Sequence, residues 1–122
     1  MRLPSTMKAV AEMVFRKPFT RPYPFVKPKA PPGFRGRQVL HIDRCVGCGI
    51  CAQDCPAQAI DMIERQGKKL PSFHLECCIF CGQCAESCGR GAIELSRTFE
   101  MASFDRKSLV LLPDAGEREG EE

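Results

Sequence analysis

The residues of this chain that could do chemistry are its cysteines, most of which fall into two runs with identical spacing. The chain has 122 residues and nine cysteines, and each run reads Cys-x2-Cys-x2-Cys-x3-Cys. The first run consists of Cys45, Cys48, Cys51 and Cys55, and the second of Cys78, Cys81, Cys84 and Cys88. Thiolates at this spacing are typical ligands of iron–sulfur clusters, in which three cysteines bind one cluster and the fourth reaches a second cluster.

The spacing predicts two crossed ligand sets. Gaps of two residues let a tight loop pass one corner of a cluster after another, with backbone N–H groups pointing at sulfur. The fourth cysteine opens a helical turn that leads away, so it faces the neighbouring cluster. We therefore expect one 4Fe–4S cluster on Cys45, Cys48, Cys51 and Cys88, and a second on Cys78, Cys81, Cys84 and Cys55. Gly47, Gly49 and Gly82 are expected to allow the unusual backbone dihedral angles of such loops.

Other residues near the runs are predicted to support the clusters rather than bind them. An apolar shell that excludes water is expected from Val46, Ile50, Ile60, Ile79, Phe80 and Ile93. The ninth cysteine, Cys77, is one position too far from the next ligand, and we expect a small buried apolar side chain. His41 and His74 lie on the predicted strands that precede the two runs. We expect each histidine to contact a ligand residue, or simply to pack, rather than to bind iron. Gly89 follows a fourth cysteine where a proline is usual, which should loosen that turn.

Zinc sites and disulfides are the other uses of grouped cysteines. Zinc commonly takes two separated Cys-x2-Cys pairs, so a third cysteine at the same interval and a fourth after three residues are superfluous. Bunched cysteines cannot all form disulfides without strain, and an odd number leaves one over. The first 17 residues also lack the continuous apolar segment of a secretory signal peptide. Iron–sulfur chemistry is therefore favoured, with zinc as the alternative.

The cysteine runs belong to an internal repeat with a period of 33 residues. Residues 41–64 align without gaps on residues 74–97, and nine of the 24 positions are identical. Each copy is predicted to contain a strand, a cysteine loop, one helical turn and a second strand. The predicted strands are Val39–Ile42, Ala59–Ile63, Ser72–Leu75 and Ala92–Leu95. An exposed turn is expected at residues 66–69. The fold class is α+β with pseudo-twofold symmetry.

Before the repeat, the sequence predicts a helix and an extended arm. Ser5 can cap an amphipathic helix that runs to about Lys17, where a proline ends it. Such a short helix needs a cover for its apolar face, from a lipid interface, another subunit or its own domain. Residues 18–37 contain six prolines, with aromatic side chains at Phe19, Tyr23, Phe25 and Phe34. This composition favours an extended arm in grooves of a partner over a flexible spacer.

Charge is divided unevenly along the chain. Residues 1–40 contain nine basic residues and one acidic residue, a net charge of +8, whereas residues 41–122 contain nine basic and 14 acidic residues, a net charge of −5. The prolines interrupt any basic stripe, so nucleic acid is not expected as a partner. A membrane surface or an acidic protein face fits the basic arm better.

Three segments follow from these patterns. Residues 1–37 form the helix and docking arm, residues 38–97 the cluster domain, and residues 98–122 a second docking segment with an acidic disordered tail. No segment approaches the ~20 apolar residues that span a bilayer. No phosphate-binding loop or nucleophile motif is present. The chain is expected to relay electrons with no catalytic site of its own.

The cysteine core resembles two-cluster bacterial ferredoxins over residues 38–97. The segments TRPYPF (20–25), FRGR (34–37), CIFCGQCAESC (78–88) and AIELSRTFEMASFDRKSLV (92–110) resemble a narrower group. They are similar to the eight-iron subunit of respiratory complex I, and equally to its relative in energy-converting membrane-bound nickel–iron hydrogenases and formate hydrogenlyases. The resemblance covers roughly residues 5–112.

This resemblance implies partners and a location. The chain would lie in the peripheral arm of a complex on the cytoplasmic side of the cell membrane, and pass electrons to the single cluster of a small subunit. A large catalytic subunit and membrane subunits complete the implied partners, with a soluble ferredoxin as a candidate electron donor. Residues 20–37 would wrap neighbouring subunits, and residues 5–17 would form a membrane-proximal helix.

Two features favour the hydrogenase-type branch of this family. Complex I versions often carry an insertion before the first cysteine and a long C-terminal extension. Here Val39–Arg44 run directly into Cys45, and the chain ends soon after Pro113. The complex I subunit is the first alternative. A free, soluble two-cluster ferredoxin is the second, although it needs only residues 38–97 and leaves both flanks without a role.

Overall fold

The computed structural model describes residues 5–65 and 67–113, and its centre is built from two small antiparallel sheets. In the first sheet, β1 (Gln38–Leu40) pairs with β4 (Ile93–Leu95). In the second, β2 (Ile60–Arg65) pairs with β3 (Lys68–His74), and β5 (Val110–Leu111) adds to the other edge of β3. Two single-turn helices, α2 (Ile50–Gln53) and α3 (Gln83–Glu86), follow the cysteine loops and contact each other.

Each sheet joins a strand from one copy of the repeat to a strand from the other copy. Leu40 lies opposite Ile93 in the first sheet, and Phe73 lies opposite Ile60 in the second. The members of these two pairs are related by the same 33-residue offset that relates the cysteine runs. The two copies are therefore interlocked through their strands, and neither copy forms a sheet alone.

The core between the sheets is small. Its buried side chains are Cys51, Ile60, Phe73, Cys84 and Ile93, with Leu40, Met62 and Leu111 among those packed against them. Cysteines from both runs thus belong to the core. Because a domain of this size buries little apolar surface, groups bound by those cysteines would add substantially to its stability.

Several boundaries differ from those predicted. The strands β2 and β3 extend to Arg65 and from Lys68, so Lys68 and Lys69 belong to a strand rather than to the expected turn. Lys69 lies opposite Glu64 in the hairpin, so the strand pairing continues beyond the apolar residues on which the prediction was based. Gln66 and the predicted disordered tail, which begins after Pro113, lie outside the described residues. The segment that precedes the tail, residues 98–113, is described.

That preceding segment lies partly on the chain's own domain. A 3-10 helix at Arg106–Leu109 leads into β5, whose residues Val110 and Leu111 pair with His74 and Phe73 of β3. The Asp105 side chain caps the 3-10 helix by accepting a hydrogen bond from the Lys107 backbone N–H, at 3.0 Å. Two apolar residues thus complete a sheet edge, which the prediction of a pure docking segment did not include.

The N-terminal helix α1 (Ser5–Phe15) is exposed along its whole length. It has no buried residue, and it ends two residues before Lys17. No helix within the described ranges combines the length and apolar character needed to cross a bilayer.

The proline-rich arm is held to the C-terminal segment by one carboxylate and two ring contacts. Glu100 accepts hydrogen bonds from the Tyr23 hydroxyl at 2.7 Å and from Lys27 Nζ at 2.9 Å. The Phe99 ring lies between Tyr23 and Phe34, with centroid distances of 6.5 and 6.2 Å. Nearer the domain, the Gly36 N–H donates a hydrogen bond to the Ser96 carbonyl. A Cβ added at Gly36 would lie 2.7 Å from that carbonyl oxygen and 2.3 Å from the Thr98 carbonyl oxygen. Only glycine fits this crossing.

Candidate metal centre

Two open cavities divide the eight repeated cysteines into two groups of four. One cavity, of about 410 Å³, is lined by Cys45, Cys48, Cys51 and Cys88. The other, of about 350 Å³, is lined by Cys55, Cys78, Cys81 and Cys84. In each group, three cysteines come from one run and the fourth from the other run, as the spacing predicts for two cluster sites.

Within the described residues, these cysteines are not gathered as the ligands of one metal ion would be. Four thiolates around a zinc ion lie about 3.8 Å apart, because the Zn–S distance is about 2.3 Å. Within residues 5–65 and 67–113, no three His, Cys, Asp or Glu side chains are gathered closely enough to hold a single ion. Soft thiolates around a wider space are the donor set of an iron–sulfur cluster.

The cysteine loops depend on left-handed backbone positions, as predicted. Gly49 and Gly82 have φ of 79° and 83° and begin α2 and α3. Gly47 has φ of 73°, and the equivalent position in the second copy is Phe80, with φ of 52°. A Cβ at Gly47 would lie 2.4 Å from the Lys69 carbonyl oxygen, so the first loop requires glycine for space as well as for conformation.

Backbone N–H groups point at the sulfur atoms. The Ala59 N–H donates to Cys55 Sγ and the Ala92 N–H donates to Cys88 Sγ, both at 3.3 Å. Burial alone would raise the pKa of the Cys88 thiol, but the N–H groups of residues 90–93 outweigh burial and lower that pKa. Donors of this kind stabilise the thiolate form that binds iron.

Two cysteines lie deeper than the rest. Burial raises the pKa of the Cys51 thiol, and burial followed by the nearby Cys78 raises the pKa of the Cys84 thiol to about 11. Both side chains are buried in the shared core. Positive iron is the partner that would offset the cost of ionising these thiols away from water.

The predicted apolar shell is correct for part of its members only. Ile60 and Ile93 are 8% and 4% exposed and Phe80 is half-buried. Val46, Ile50 and Ile79 are 62%, 43% and 64% exposed, although each lines a cavity. The first group lies on strands or on the inner side of a loop, whereas the second lies at the cavity rims, where this chain provides no cover.

The prediction of a buried Cys77 is wrong, because its side chain is exposed. Cys77 lies in the turn after β3, and its backbone N–H donates to the His74 carbonyl at 3.1 Å. That turn directs the neighbouring Cys78 toward the cavity, and consecutive side chains cannot both point inward there.

The two histidines make related contacts away from the cavities. His41 Nε2 lies 3.4 Å from Glu94 Oε2, and His74 Nε2 lies 2.9 Å from Asp61 Oδ2. Asp61 and Glu94 are equivalent positions of the repeat. His74 ends β3 and His41 directly follows β1, so each histidine links the end of the first strand of one copy to the last strand of the other, which agrees with a supporting role.

Sequence reasoning missed a polar side chain beside the second cavity. The Gln38 side chain is buried and its Nε2 donates to Cys78 Sγ at 3.1 Å. The repeat alignment extends three residues upstream in the strands, and this extension would have drawn attention to Gln38, because the equivalent residue is Pro71.

Comparisons with known proteins agree with the arrangement of the cysteines. Residues 44–92 match the 4Fe-4S dicluster domain family. NADH-quinone oxidoreductase subunit I 1 of Symbiobacterium thermophilum is 44% identical over 123 residues, which cover 86% of this chain and 75% of that protein. The corresponding subunit I 1 of Nitrosospira multiformis is 45% identical over 116 residues, covering 86% of this chain and 68% of the relative.

A solved structure is also similar. A chain of the membrane-bound sulfane sulfur reductase, an archaeal respiratory membrane complex, matches with a TM-score of 0.66 and 29% identity. The match covers 89% of this chain but only 62% of that one. Taken with the dicluster domain, the extent of these similarities shows that the chain belongs to the NADH-quinone oxidoreductase subunit I family of electron-transfer proteins, which carry two 4Fe–4S clusters.

Proposed function

We propose that this chain relays electrons through two 4Fe–4S clusters as a peripheral subunit of a membrane-bound, energy-converting redox complex related to complex I. The observation that carries the proposal is that two features occur together in the described residues. Two cavities are each lined by four cysteines, and the segments on either side expose large apolar side chains. The family supplies the electron-transfer role. The exposed apolar side chains of the flanks support the place in the complex.

We assign Cys45, Cys48, Cys51 and Cys88 to the first cluster, and Cys55, Cys78, Cys81 and Cys84 to the second. The lining of the two cavities supports this crossed assignment. The matching N–H contacts to Cys55 and Cys88 support it further, because they direct the fourth sulfur of each run toward the cavity of the other.

The relay itself is supported by how the two ligand groups meet. Each bound cluster takes up and releases one electron, and substrate chemistry belongs to other subunits. Cys51 from the first group and Cys84 from the second lie in the same buried core, which keeps water out of the space between the groups. The exposed apolar rims at Val46 and Ile79 are suitable contact surfaces for electron partners.

The flanking segments support assembly into a complex. Val14 and Phe15 of α1 are 76% and 91% exposed, and Phe19 and Phe25 of the arm are equally uncovered. We propose that residues 5–17 lie at the cytoplasmic membrane surface and that the arm extends along neighbouring subunits, among them a small cluster-bearing subunit. A free ferredoxin would gain nothing from such surfaces.

Two candidates remain for the chemistry of the whole complex. The direct run of Val39–Arg44 into Cys45 favours a hydrogenase-type complex. The 44% identity to NADH-quinone oxidoreductase subunit I favours a quinone reductase as the second candidate.

Isolation of the native complex tests the proposal. A tagged chain, purified anaerobically from detergent-solubilised membranes, should elute in a large assembly with about eight iron and eight sulfide atoms per chain. A small, soluble, cluster-loaded peak would instead identify a free ferredoxin, and a colourless protein with stoichiometric zinc would end the iron–sulfur assignment. Rapid cluster reduction by hydrogen supports the hydrogenase candidate, whereas reduction by NADH with quinone turnover supports the other.

A further inference from the structure

Gln38 makes an unusual contact for a side chain at the start of a strand. It lies in β1 with only 4% of its surface exposed, and it lines the second cavity. Its Nε2 is 3.1 Å from Cys78 Sγ. A thiolate only accepts hydrogen bonds, so the amide nitrogen must face the sulfur. Oε1 is buried and accepts no hydrogen bond from any described residue, so the sulfur contact is what orients the amide.

Among the residues that the structure describes, the first cavity has no counterpart of this contact. Gln38 pairs with Leu95 across the first sheet, and Pro71 pairs with Met62 across the second. Both partners obey the 33-residue offset, so Pro71 occupies the equivalent place. Pro71 is fully buried and lines the first cavity. Proline has neither a backbone N–H nor a side-chain donor, and therefore cannot hydrogen-bond to Cys45, the equivalent of Cys78.

We propose that Gln38 raises the reduction potential of the second cluster relative to the first, by donating a hydrogen bond to the ligand Cys78. This inference rests on the ligand sets of the proposed function. Reduction adds negative charge to the cluster and its sulfur ligands, and a donor pointing at sulfur stabilises the reduced form more than the oxidised form. Hydrogen bonds to ligand sulfur are among the factors that set cluster potentials.

The Phe80 N–H also donates to Cys78 Sγ, at 3.4 Å. Cys78 therefore receives one backbone donor and one side-chain donor, and only the latter can be removed by substitution. The consequence for the relay is a bias: this contact shifts an electron on the chain toward the second cluster. Gln38 acts through Cys78 and is a potential-tuning residue rather than a ligand.

An EPR-monitored redox titration of the full, cluster-loaded chain tests this role. Gln38→Met keeps the length of the side chain and removes its donor. We expect both clusters to be retained. The equilibrium constant for reduction of the second cluster should fall about tenfold, which is a shift of about 59 mV for one electron. The reduction potential of the first cluster should be unchanged. Cys81→Ser and Cys48→Ser identify which EPR signal belongs to which cluster.

Gln83→Leu is the matched control. Gln83 also lines the second cavity, but its Nε2 donates to Ser87 Oγ at 3.1 Å rather than to sulfur, so its loss should leave both potentials unchanged. No shift in Gln38→Met, an equal shift of both clusters, or an equal shift in Gln83→Leu would overturn the role of Gln38.

A measurement that keeps Gln38 covers the case in which Gln38→Met does not assemble. It uses Gln83→Leu protein, which lacks the other glutamine of the second cavity. Pulsed EPR of this protein, labelled with 15N in its glutamine side-chain amides, should show nitrogen coupling to the second cluster alone, and absence of that coupling overturns the inference. If the coupled signal is instead the one altered by Cys48→Ser, the ligand sets are wrong while the Gln38 contact stands. Iron far below about eight atoms per chain would contradict the proposed function itself.

Discussion

At the residue scale, the two copies keep the same four cysteines and differ in the side chains around them. Gly47 is replaced by Phe80 at a left-handed position, and Pro56 by Gly89 after the fourth cysteine. Gly89 has open space at its Cβ position and a φ outside the left-handed region, so nothing in its conformation requires glycine. Together with Gln38, these differences give two sites of equal ligand chemistry different surroundings, and surroundings are what distinguish cluster potentials.

Crossed ligation gives a prediction for single cysteines. Because Cys55 lines the cavity of the second run, Cys55→Ser should alter or abolish the same EPR signal as Cys81→Ser, and Cys88→Ser the same signal as Cys48→Ser. EPR of the reduced variants makes the comparison without a prior assignment of signals. If Cys55→Ser selectively altered the Cys48→Ser signal, each run would bind its own cluster and the assignment would fail.

At the scale of elements, one carboxylate, Glu100, supplies the charged contact that holds the arm. The Tyr23 hydroxyl bond, followed by Lys27, lowers the pKa of Glu100, and the bond to Glu100 raises the pKa of both Tyr23 and Lys27. A depressed carboxyl pKa means that this contact is present above the ordinary pKa of about 4.3 and is lost as the pH falls through the folded value. The raised pKa values of Tyr23 and Lys27 mean that the contact with Glu100 is retained up to about pH 10.

Trypsin can report on this contact. Prolines block cleavage after Arg21 and Lys27, so the bond after Lys29 is the available site in the middle of the arm. Glu100→Gln removes the charge and should speed cleavage after Lys29 about two- to fivefold, the range expected for an exposed, screened contact. Protection in the unsubstituted chain should be constant between about pH 7 and 9, since no group of the contact titrates there.

The matched control is Glu64→Gln, which removes an exposed carboxylate from β2 rather than from the arm contact. Its cleavage rate should equal that of the unsubstituted chain. Equal rates in Glu100→Gln and the unsubstituted chain would show that the rings of Phe34 and Phe99 hold the arm without the carboxylate.

The elements show where sequence reasoning succeeds and where it ends. The 33-residue repeat predicts four strands, two helical turns and the left-handed glycines, because ligand spacing and turn geometry are local properties. It does not reveal β5, since the two-residue strand Val110–Leu111 is defined by the edge of β3 and not by its own pattern. The contact from Gln38 to Cys78 spans 40 positions, and the exposure of Val46 and Ile79 depends on which side of a loop faces outward.

At the scale of the whole molecule, the flanking segments leave large apolar side chains uncovered. Val14 and Phe15 of α1 are 76% and 91% exposed, and Phe25 of the arm is 91% exposed. The helix α1 and the arm account for much of the apolar surface that the described residues expose. A neighbouring subunit or membrane surface would cover these side chains, which agrees with the proposed place in a membrane-bound complex.

The same shortage of buried surface predicts that the clusters hold the central domain together. The core has few buried apolar side chains, and two of them are the cysteines Cys51 and Cys84. Binding free energy at such sites is folding free energy, and burial opposes ionisation of both thiols when no iron is bound. Removal of iron with an oxidant and a chelator should therefore abolish most of the strand signal in the far-ultraviolet circular dichroism spectrum of the chain, and anaerobic reconstitution with iron and sulfide should restore it.

Cys77→Ser separates cluster binding from cysteine content in this experiment. Cys77 is exposed and lines neither cavity, so this variant should keep about eight iron atoms, the native circular dichroism and the same dependence on iron. Sheet structure that survives complete iron removal would show that interlocked strand pairs such as Leu40–Ile93 and Phe73–Ile60 suffice for folding. Loss of iron from Cys77→Ser would place that thiol among the ligands, because an exposed bystander has no other means of releasing a cluster.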